Sequence, residues 1–230
     1  MPLKKAEGNM YGWVGFTHAH LGGECPHRCR YCYVDNPRFG RPPKYTGDIR
    51  LIEDEFKVAY GSGKTIFIEN CNDLWAHAVP ETMIRRVLAH CNTWPDNKYV
   101  FQTKNPIRYR EFEHDIPARA ILGTTIETNR PYPQTIGLAP SPKERMEAMR
   151  DGLIGWSTFL TIEPVMDFDV DELAQWVIWL RPQFLNIGAD SKNKGLPEPT
   201  KEKILAFVAE LRKGGIEVRE KHNLKRILET

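Results

Sequence analysis

The sequence predicts an α/β fold built on parallel strands. Short runs rich in β-branched and aromatic residues alternate with amphipathic segments of helix length along the whole chain. Because helix-length segments separate consecutive strands, we expect parallel strands joined by right-handed crossovers. No Gly-, Pro- or Ser-rich linker divides the 230 residues, so the pattern favours one domain over 1–230. Two architectures fit this alternation, an open doubly wound sheet and a barrel with fewer than eight units.

Six strands and six helices follow from the pattern. The strands are predicted at 12–18, 65–70, 98–103, 118–126, 157–162 and 183–188. The helices are predicted at 52–60, 80–93, 107–113, 142–151, 170–180 and 200–214. Pro80 and Glu81 suit a first helical turn, and Gly214 with Gly215 suits a helix end. A short final strand at 216–219 is expected within a basic C-terminal tail, 216–230.

Composition narrows the class of protein. The net charge of +2 gives no indication of a partner. No apolar run approaches the ~20 residues that span a bilayer, and the first eight residues lack the apolar stretch of a secretory signal. We therefore expect a cytoplasmic protein without membrane contact. In a reducing compartment, three cysteines within eight residues indicate metal binding rather than a disulfide framework.

The densest chemistry lies just after the first predicted strand, where Cys25, Cys29 and Cys32 form a C-x3-C-x2-C motif. Three thiolates at this spacing can hold one cubane iron–sulfur cluster and leave its fourth iron without a protein ligand. That open iron can then chelate an amino acid group. The motif therefore favours a [4Fe–4S] cluster.

A zinc site is the alternative for these cysteines, and it would belong to a zinc-stabilised nucleic-acid-binding module without catalysis. A histidine would complete the site, and His18, His20 and His27 are available. Structural zinc sites usually pair their ligands across a longer loop, for example as two C-x2-C knuckles, and no such pair occurs here. Ligand softness and spacing favour the iron–sulfur cluster.

Polar and acidic residues end at least five successive predicted strands. Ligands of both candidate architectures bind at the carboxyl ends of the strands. Alternation places Thr125 with Glu127, and Thr161 with Glu163, on common faces. The strand-end residues therefore predict a polar mouth that binds a charged small molecule, and ordinary loop polarity is the alternative.

A basic and aromatic stretch runs from residue 25 to residue 50. It carries six cationic residues against two carboxylates, an excess of four positive charges, with aromatic residues between them. The cations are Arg28, Arg30, Arg38, Arg41, Lys44 and Arg50. This composition suits a phosphate-bearing or stacked-base substrate, and a solvated loop is the alternative. Residues 35–47 are expected to form a long loop.

The cysteine motif, with the aromatic Tyr31 before its third cysteine, resembles the signature of the radical SAM superfamily. More narrowly, Asn-Asp-Leu-Trp at 72–75 followed by Val79-Pro80, and Phe-Gln-Thr-Lys-Asn-Pro at 101–106, resemble the phage-type radical SAM proteins of unassigned function. Those proteins are in turn similar to spore photoproduct lyase. The resemblance extends through the six βα units and covers most of the chain.

This resemblance implies a partial (β/α)6 TIM-like barrel with its cluster loop at 19–47. It also implies an oxygen-sensitive enzyme that cleaves S-adenosylmethionine (SAM) reductively to methionine and a 5′-deoxyadenosyl radical, which abstracts hydrogen from a substrate. A flavodoxin or ferredoxin would supply the electron. The resemblance and the basic stretch favour nucleic acid or a nucleotide as substrate, while a peptide or small metabolite stays open.

The resemblance further assigns residues to SAM. Where the family often has Gly-Gly-Glu to bind the methionine amino group, this chain departs from the pattern and has Glu69, Asn70 and a cysteine. Thr125 and Glu127 best match the polar residues that meet the ribose. The charge and position of Lys104 suit the SAM carboxylate. The backbone near Tyr31 would contact the adenine.

Two further residues are candidates for catalysis. Cys71 ends the second predicted strand, where its thiol could donate a hydrogen atom to a product radical as in spore photoproduct lyase-like chemistry. A buried structural cysteine is the alternative. Glu163 could act as an acid or base if it is shielded from water, and a structural salt bridge is the alternative.

Overall fold

In the part of the chain that the structure describes, seven parallel strands form the main sheet, with one short antiparallel strand at its edge. The computed structural model describes residues 3–35 and 39–229. The strands are β1 (Lys4–Lys5), β2 (Phe16–His18), β3 (Leu21–Gly22), β4 (Arg50–Leu51), β5 (Thr65–Ile68), β6 (Lys98–Thr103), β7 (Ala120–Thr125), β8 (Ser157–Ile162), β9 (Phe184–Ile187) and β10 (Val218–Glu220). The order in the main sheet is β1-β2-β5-β6-β7-β8-β9-β10, and β3 pairs separately with β4.

The sheet curves into a partial barrel. Side chains from distant strands meet inside it, because Phe67 on β5, Val100 on β6 and Phe184 on β9 belong to one buried cluster with Tyr11. In the part of the chain that the structure describes, the edge strands β1 and β10 do not pair, so the barrel is open. The predicted partial (β/α)6 TIM-like barrel is confirmed as a mixed α/β fold with a mostly parallel sheet.

Helices cover the outside of the sheet. They are α1 (Glu81–Asn92), α2 (Pro133–Ile136), α3 (Pro142–Gly152), α4 (Val170–Leu180), α5 (Lys201–Lys213) and α6 (Lys225–Leu228). In α1 the buried residues Ile84, Val87, Leu88 and Cys91 recur at helical spacing, so one face packs on the sheet. Ser141 caps α3, and its hydroxyl accepts from the Glu144 amide while the Glu144 carboxylate accepts from the Ser141 amide.

Two predicted α-helices are tighter than expected. The segments predicted at 52–60 and 107–113 form the 3₁₀-helices Glu53–Lys57 and Pro106–Phe112. The former has only five residues, which suits the short runs typical of 3₁₀-helices. Two more 3₁₀-turns occur, at Pro43–Tyr45 and His222–Leu224.

The C-terminal tail is part of the fold. The expected final strand is present as β10, pairs parallel to β9 and adds a seventh parallel strand. Behind it, Leu224 is fully buried and Ile227 is 8% exposed in the core against α4 and α5. The tail therefore packs on the barrel and brings Lys221 to the carboxyl ends of the strands.

Candidate functional site

A cavity of about 460 Å³ opens at the carboxyl ends of the parallel strands. Its volume lies within the usual range for small-molecule sites. Eleven of the residues that line it are Cys25, Cys29, Tyr31, Cys32, Glu69, Asn70, Cys71, Lys104, Thr125, Glu163 and Lys221. The structure therefore brings together all of the sequence-predicted site residues except Glu127.

The three motif cysteines are free thiols that face this one cavity. Cys29 is 8% exposed, and its thiol donates a hydrogen bond to the Ile136 carbonyl at 3.3 Å. Burial, followed by the nearby Asp73 carboxylate, raises the pKa of Cys25 to about 12. Three soft sulfur donors converging on one cavity fit a cubane iron–sulfur cluster, because each thiolate binds a different iron.

The histidines proposed as zinc ligands have other partners. His18 Nε2 lies 3.2 Å from the Glu55 carbonyl, and His27 Nε2 lies 2.8 Å from an Asp73 carboxylate oxygen. His20 contacts Glu69 through Nδ1 and a tyrosine hydroxyl through Nε2. Across residues 3–35 and 39–229, no three His, Cys, Asp or Glu side chains are placed to hold a single metal ion.

The segment that follows β5 anchors the cluster loop. Asn72 Nδ2 donates to the Gly23 carbonyl at 3.1 Å, and Asp73 contacts His27. The Asp73 carboxylate also accepts from the Thr103 hydroxyl at 2.7 Å and from the Lys104 amide at 2.8 Å. Burial alone would raise the pKa of Asp73, but His27 and these hydrogen bonds hold it below its usual value. Asp73 thus joins the loop to the end of β6.

A second support comes from the segment around α2. The Arg30 amide donates to the Thr135 carbonyl at 3.0 Å, and the Leu138 amide donates to the His27 carbonyl at 2.7 Å. Gly137 lies between these contacts with φ of +70°, and a Cβ atom there would lie 2.2 Å from the His27 carbonyl oxygen. Only glycine allows this approach, so the α2 segment holds the cluster loop from the other side.

Glu127 is fully buried behind the cavity wall. It accepts hydrogen bonds from the Tyr31 hydroxyl, from Lys104 Nζ at 2.7 Å and from Arg145 Nη1 at 2.9 Å. Burial alone would raise the pKa of Glu127, but Arg145 and Lys104 lower it to about 2. Glu127 does not line the cavity, so direct contact with a ligand there would require Tyr31 or Lys104 to move.

Arg145 is the functional candidate that sequence reasoning missed. It lies on α3 and is fully buried, and arginine is rarely buried unless it is paired. The signal was present in the sequence, because Arg145 shares the buried face of α3 with Pro142, Met146 and Met149. A charged residue at a core position of a helix implies a buried partner.

Two predicted SAM contacts are partly occupied by other residues of the protein. The Glu69 carboxylate accepts from the His20 amide at 2.5 Å and from the Leu21 amide at 3.2 Å. The Thr125 hydroxyl accepts from Gln102 Nε2 at 2.8 Å. Both side chains still line the cavity. Their assigned SAM contacts stay predictions.

Cys71 and Asn70 lie beside the cluster loop. The Tyr33 hydroxyl donates to the Asn70 carbonyl and lies 3.8 Å from Cys71 Sγ. Burial raises the pKa of Cys71, against hydrogen bonds from Tyr45 and Tyr33 that lower it. Cys71 therefore carries its proton at neutral pH, as a hydrogen-atom donor requires. Its catalytic role stays a prediction.

Glu163 lies at another part of the cavity wall and is held by several donors. Lys221 Nζ lies 2.5 Å from Oε2, while Asn9 Nδ2 and Asn223 Nδ2 donate to Oε1 at 2.6 and 2.8 Å. This arrangement matches the salt bridge that was the structural alternative for Glu163. The predicted acid or base role is not tested by it.

Most cations of the basic stretch are paired with the loop itself or with Glu55, which follows it in the chain. Arg41 Nε donates to Asp35 at 2.6 Å, Lys44 Nζ donates to Glu55 at 2.6 Å, and Arg50 donates to backbone carbonyls. Arg28 lies 3.6 Å from a glutamate oxygen, and Arg38 lies outside the described residues. Much of the predicted positive excess therefore serves to hold the loop together.

None of the helices in the described residues combines the length and the apolar character that a membrane span requires.

Comparison with known proteins gives matches among solved structures. No family model matches the chain, and no curated protein matches it. A single-residue variant of spore photoproduct lyase matches with a TM-score of 0.60 at 13% identity, over 95% of this chain and 81% of that chain. A second variant, with bound AdoMet and dinucleoside spore photoproduct, matches with a TM-score of 0.56 at 13% identity, over 92% and 66%. Streptococcus suis SuiB bound to precursor peptide SuiA matches with a TM-score of 0.57 at 10% identity, over 89% and 48%.

These likenesses show a shared fold. The chain spans 66% of the AdoMet-bound lyase and about half of SuiB. The resemblance to spore photoproduct lyase expected from the sequence is confirmed at the level of fold.

Proposed function

We propose that the protein is a radical SAM enzyme in which Cys25, Cys29 and Cys32 hold a [4Fe–4S] cluster. The supporting observation is that three free thiols of one C-x3-C-x2-C motif line a cavity at the carboxyl ends of parallel strands. The same fold occurs in a lyase structure that holds AdoMet. When bound, the cluster would supply the electron for reductive cleavage of SAM to methionine and a 5′-deoxyadenosyl radical.

The residues of the chain would bind SAM and exclude water. Lys104 Nζ forms an ion pair with Glu127, and it would also attract the SAM carboxylate. Glu69 and Asn70 would meet the methionine amino group, and Thr125 would meet the ribose. These assignments predict that Lys104→Gln weakens SAM binding, as measured by calorimetry on the reconstituted protein.

Anaerobic purification tests the proposal. We expect a brown protein that binds iron and that forms 5′-deoxyadenosine from SAM in the presence of dithionite. Cys29→Ala should abolish both properties. Cys91→Ala is the matched control, because Cys91 is equally a free buried cysteine but lies on α1 in the outer core. A colourless wild-type protein that carries one zinc would contradict the proposal and favour the zinc-stabilised module.

Nucleic acid or a nucleotide is the substrate class that we propose first. The lyase that shares the fold holds a dinucleoside photoproduct, whereas SuiB, with the same fold, holds a peptide. Deuterium transfer separates the two classes. We expect 5′-deoxyadenosine to acquire deuterium from a deuterated oligonucleotide and none from a deuterated peptide pool. The reverse result would exclude nucleic acid.

Cys71 and Glu163 are proposed to act after the radical forms. Cys71 would donate its thiol hydrogen atom to the product radical and become a thiyl radical, which one electron from the external donor and one proton restore to the thiol. Cys71→Ala should therefore leave SAM cleavage intact and alter the product. Glu163 would act as an acid or base. A flavodoxin or ferredoxin is proposed as the electron donor in place of dithionite. One exposed arginine on the cluster loop, Arg30, is available to an acidic partner.

A further inference from the structure

A buried arginine has one guanidinium nitrogen without a partner. Arg145 Nη1 donates to Glu127 and to the Thr125 carbonyl at 2.8 Å, and Nε donates to the Pro140 carbonyl at 2.7 Å. Nη2 is buried and has no hydrogen-bond partner among residues 3–35 and 39–229. An unsatisfied buried donor, especially a charged one, costs free energy. The position therefore suits a negatively charged group beside Arg145.

The cluster loop is the neighbour that could supply this charge. Tyr31, which lies between two of the motif cysteines, donates to the same Glu127 carboxylate as Arg145. The Cys29 thiol donates to Ile136 in the segment whose Pro140 accepts from Arg145. Lys104 Nζ lies 5.0 Å from the centroid of the Tyr31 ring, so both cations lie against the segment that carries Cys29 and Cys32.

Three charged side chains meet at the back of the cluster loop. Lys104 and Arg145 carry two positive charges, and Glu127 carries one negative charge. All three side chains are largely withdrawn from water, with exposures of 16% for Lys104 and 0% for the other two. Such charges are weakly screened, so each of them acts on a nearby group.

We propose that Arg145 is a positioning residue that sets the reduction potential of the cluster. Its positive charge lies behind Cys29 and acts in the opposite sense to the negative charge of Glu127. This inference rests on the proposed function, because it requires a cluster on Cys29. Reduction transfers one electron from an external donor to the cluster and adds one negative charge there. A nearby cation stabilises the reduced form and makes the midpoint potential more positive.

A purely structural role would give a different result. Arg145 donates to Glu127, and Glu127 accepts from Tyr31, so a variant of either residue would loosen the same contact. Loosening the Tyr31 contact would shift the midpoint potential of the cluster in the same direction for both variants, or would leave it unchanged. An electrostatic role requires shifts of opposite sign, because the two side chains carry opposite charges.

Redox titration of the reconstituted protein without SAM tests the inference, with the reduced cluster followed by electron paramagnetic resonance. We expect Arg145→Gln to make the midpoint potential more negative and Glu127→Gln to make it more positive. Arg145→Lys keeps the charge and should stay close to wild type. Lys104→Gln should shift the potential in the same direction as Arg145→Gln, and it tests the inference even where Arg145→Gln fails to fold.

The matched control is Arg108→Gln. Arg108 is also a buried arginine, but it donates to the Ala76 and Val79 carbonyls and does not line the cavity. The midpoint potential of the cluster in Arg108→Gln should equal that in the wild-type protein. Shifts of equal sign, or unchanged potentials at Arg145 and Glu127 in protein that still cleaves SAM, would overturn this inference and leave the proposed function standing. A wild-type chain that binds no iron would overturn both.

Discussion

Single buried polar residues organise the neighbourhood of the site. The Asp73 carboxylate accepts from Thr103 and from the amides of Lys104 and Trp75, and it contacts His27. Several donors to one carboxylate offset the cost of removing it from water. Asp73 therefore fixes three chain segments relative to one another, namely the cluster loop, the turn after β5 and the end of β6.

The buried histidine that ends β2 makes the stability of the protein depend on pH. Burial, followed by the charge of His20, lowers the pKa of His18 from 6.5 to about 3. The effect of burial outweighs the Glu55 carboxylate at 3.7 Å, which would favour the charged ring. The charges of His90 and Lys44 also favour the neutral form of this ring.

The sign of this pH dependence follows from the two pKa values. Between about pH 6.5 and pH 3 the unfolded chain binds a proton at His18 that the folded chain does not, so stability falls as the pH falls. We expect His18→Gln to reduce the slope of the unfolding free energy by about 1.4 kcal/mol per pH unit in this range. Urea unfolding at about pH 6 and about pH 4 measures it. Equal slopes in the variant and wild type would contradict the assignment.

Gly123 on β7 faces an aromatic ring inside the barrel. A Cβ atom there would lie 2.3 Å from a Phe159 ring carbon, so the ring would have to move. We expect Gly123→Ala to lower the free energy of unfolding by about 1–3 kcal/mol, measured by urea unfolding. Gly12→Ala is the control, because nothing lies within 4 Å of its added methyl group. Adding Phe159→Leu to Gly123→Ala should restore part of the loss.

At the scale of elements, the α2 segment determines where the cluster loop lies. We expect Gly137→Ala to reduce the iron bound per chain after anaerobic reconstitution, because its Cβ atom would displace the His27 carbonyl. Gly155→Ala is a matched control, since Gly155 also has a positive φ, +89°, but nothing lies within 4 Å of its Cβ position. An equal loss of iron in the two variants would show that backbone strain, rather than displacement of the loop, is responsible.

Element type was predictable wherever a segment was long and periodic. The strand predicted at 157–162 and the helix predicted at 170–180 match β8 and α4, because each has the length and apolar pattern of its class. The first strand is shorter than expected, only Phe16–His18, because the residues before it enter the barrel interior. The α2 segment has four residues and leaves no periodic signal in the sequence.

At the scale of the whole molecule, the N-terminal segment fills the open barrel. Trp13 stacks on Tyr11 at 5.3 Å between ring centroids and meets Phe159 and Phe184 edge to face. We expect Trp13→Ala to lower the free energy of unfolding by about 3 kcal/mol. Trp179→Ala should cost about 1 kcal/mol or less, because Trp179 is 54% exposed. Chemical denaturation measures the free energy of unfolding of both variants. Equal losses of this free energy would show that the interior aromatic cluster contributes little to stability.

The sequence alone determined the alternation of strands and helices and the trio of cysteines. Both are local properties, since backbone periodicity and ligand spacing are set by neighbouring residues. Only the tertiary structure decided which strand-end side chains face the cavity. Tyr31 and Glu127 are 96 positions apart, and packing alone brings them together. The same packing gives Glu127 its partner Arg145, because a charge withdrawn from water must find an opposite charge wherever the fold provides one.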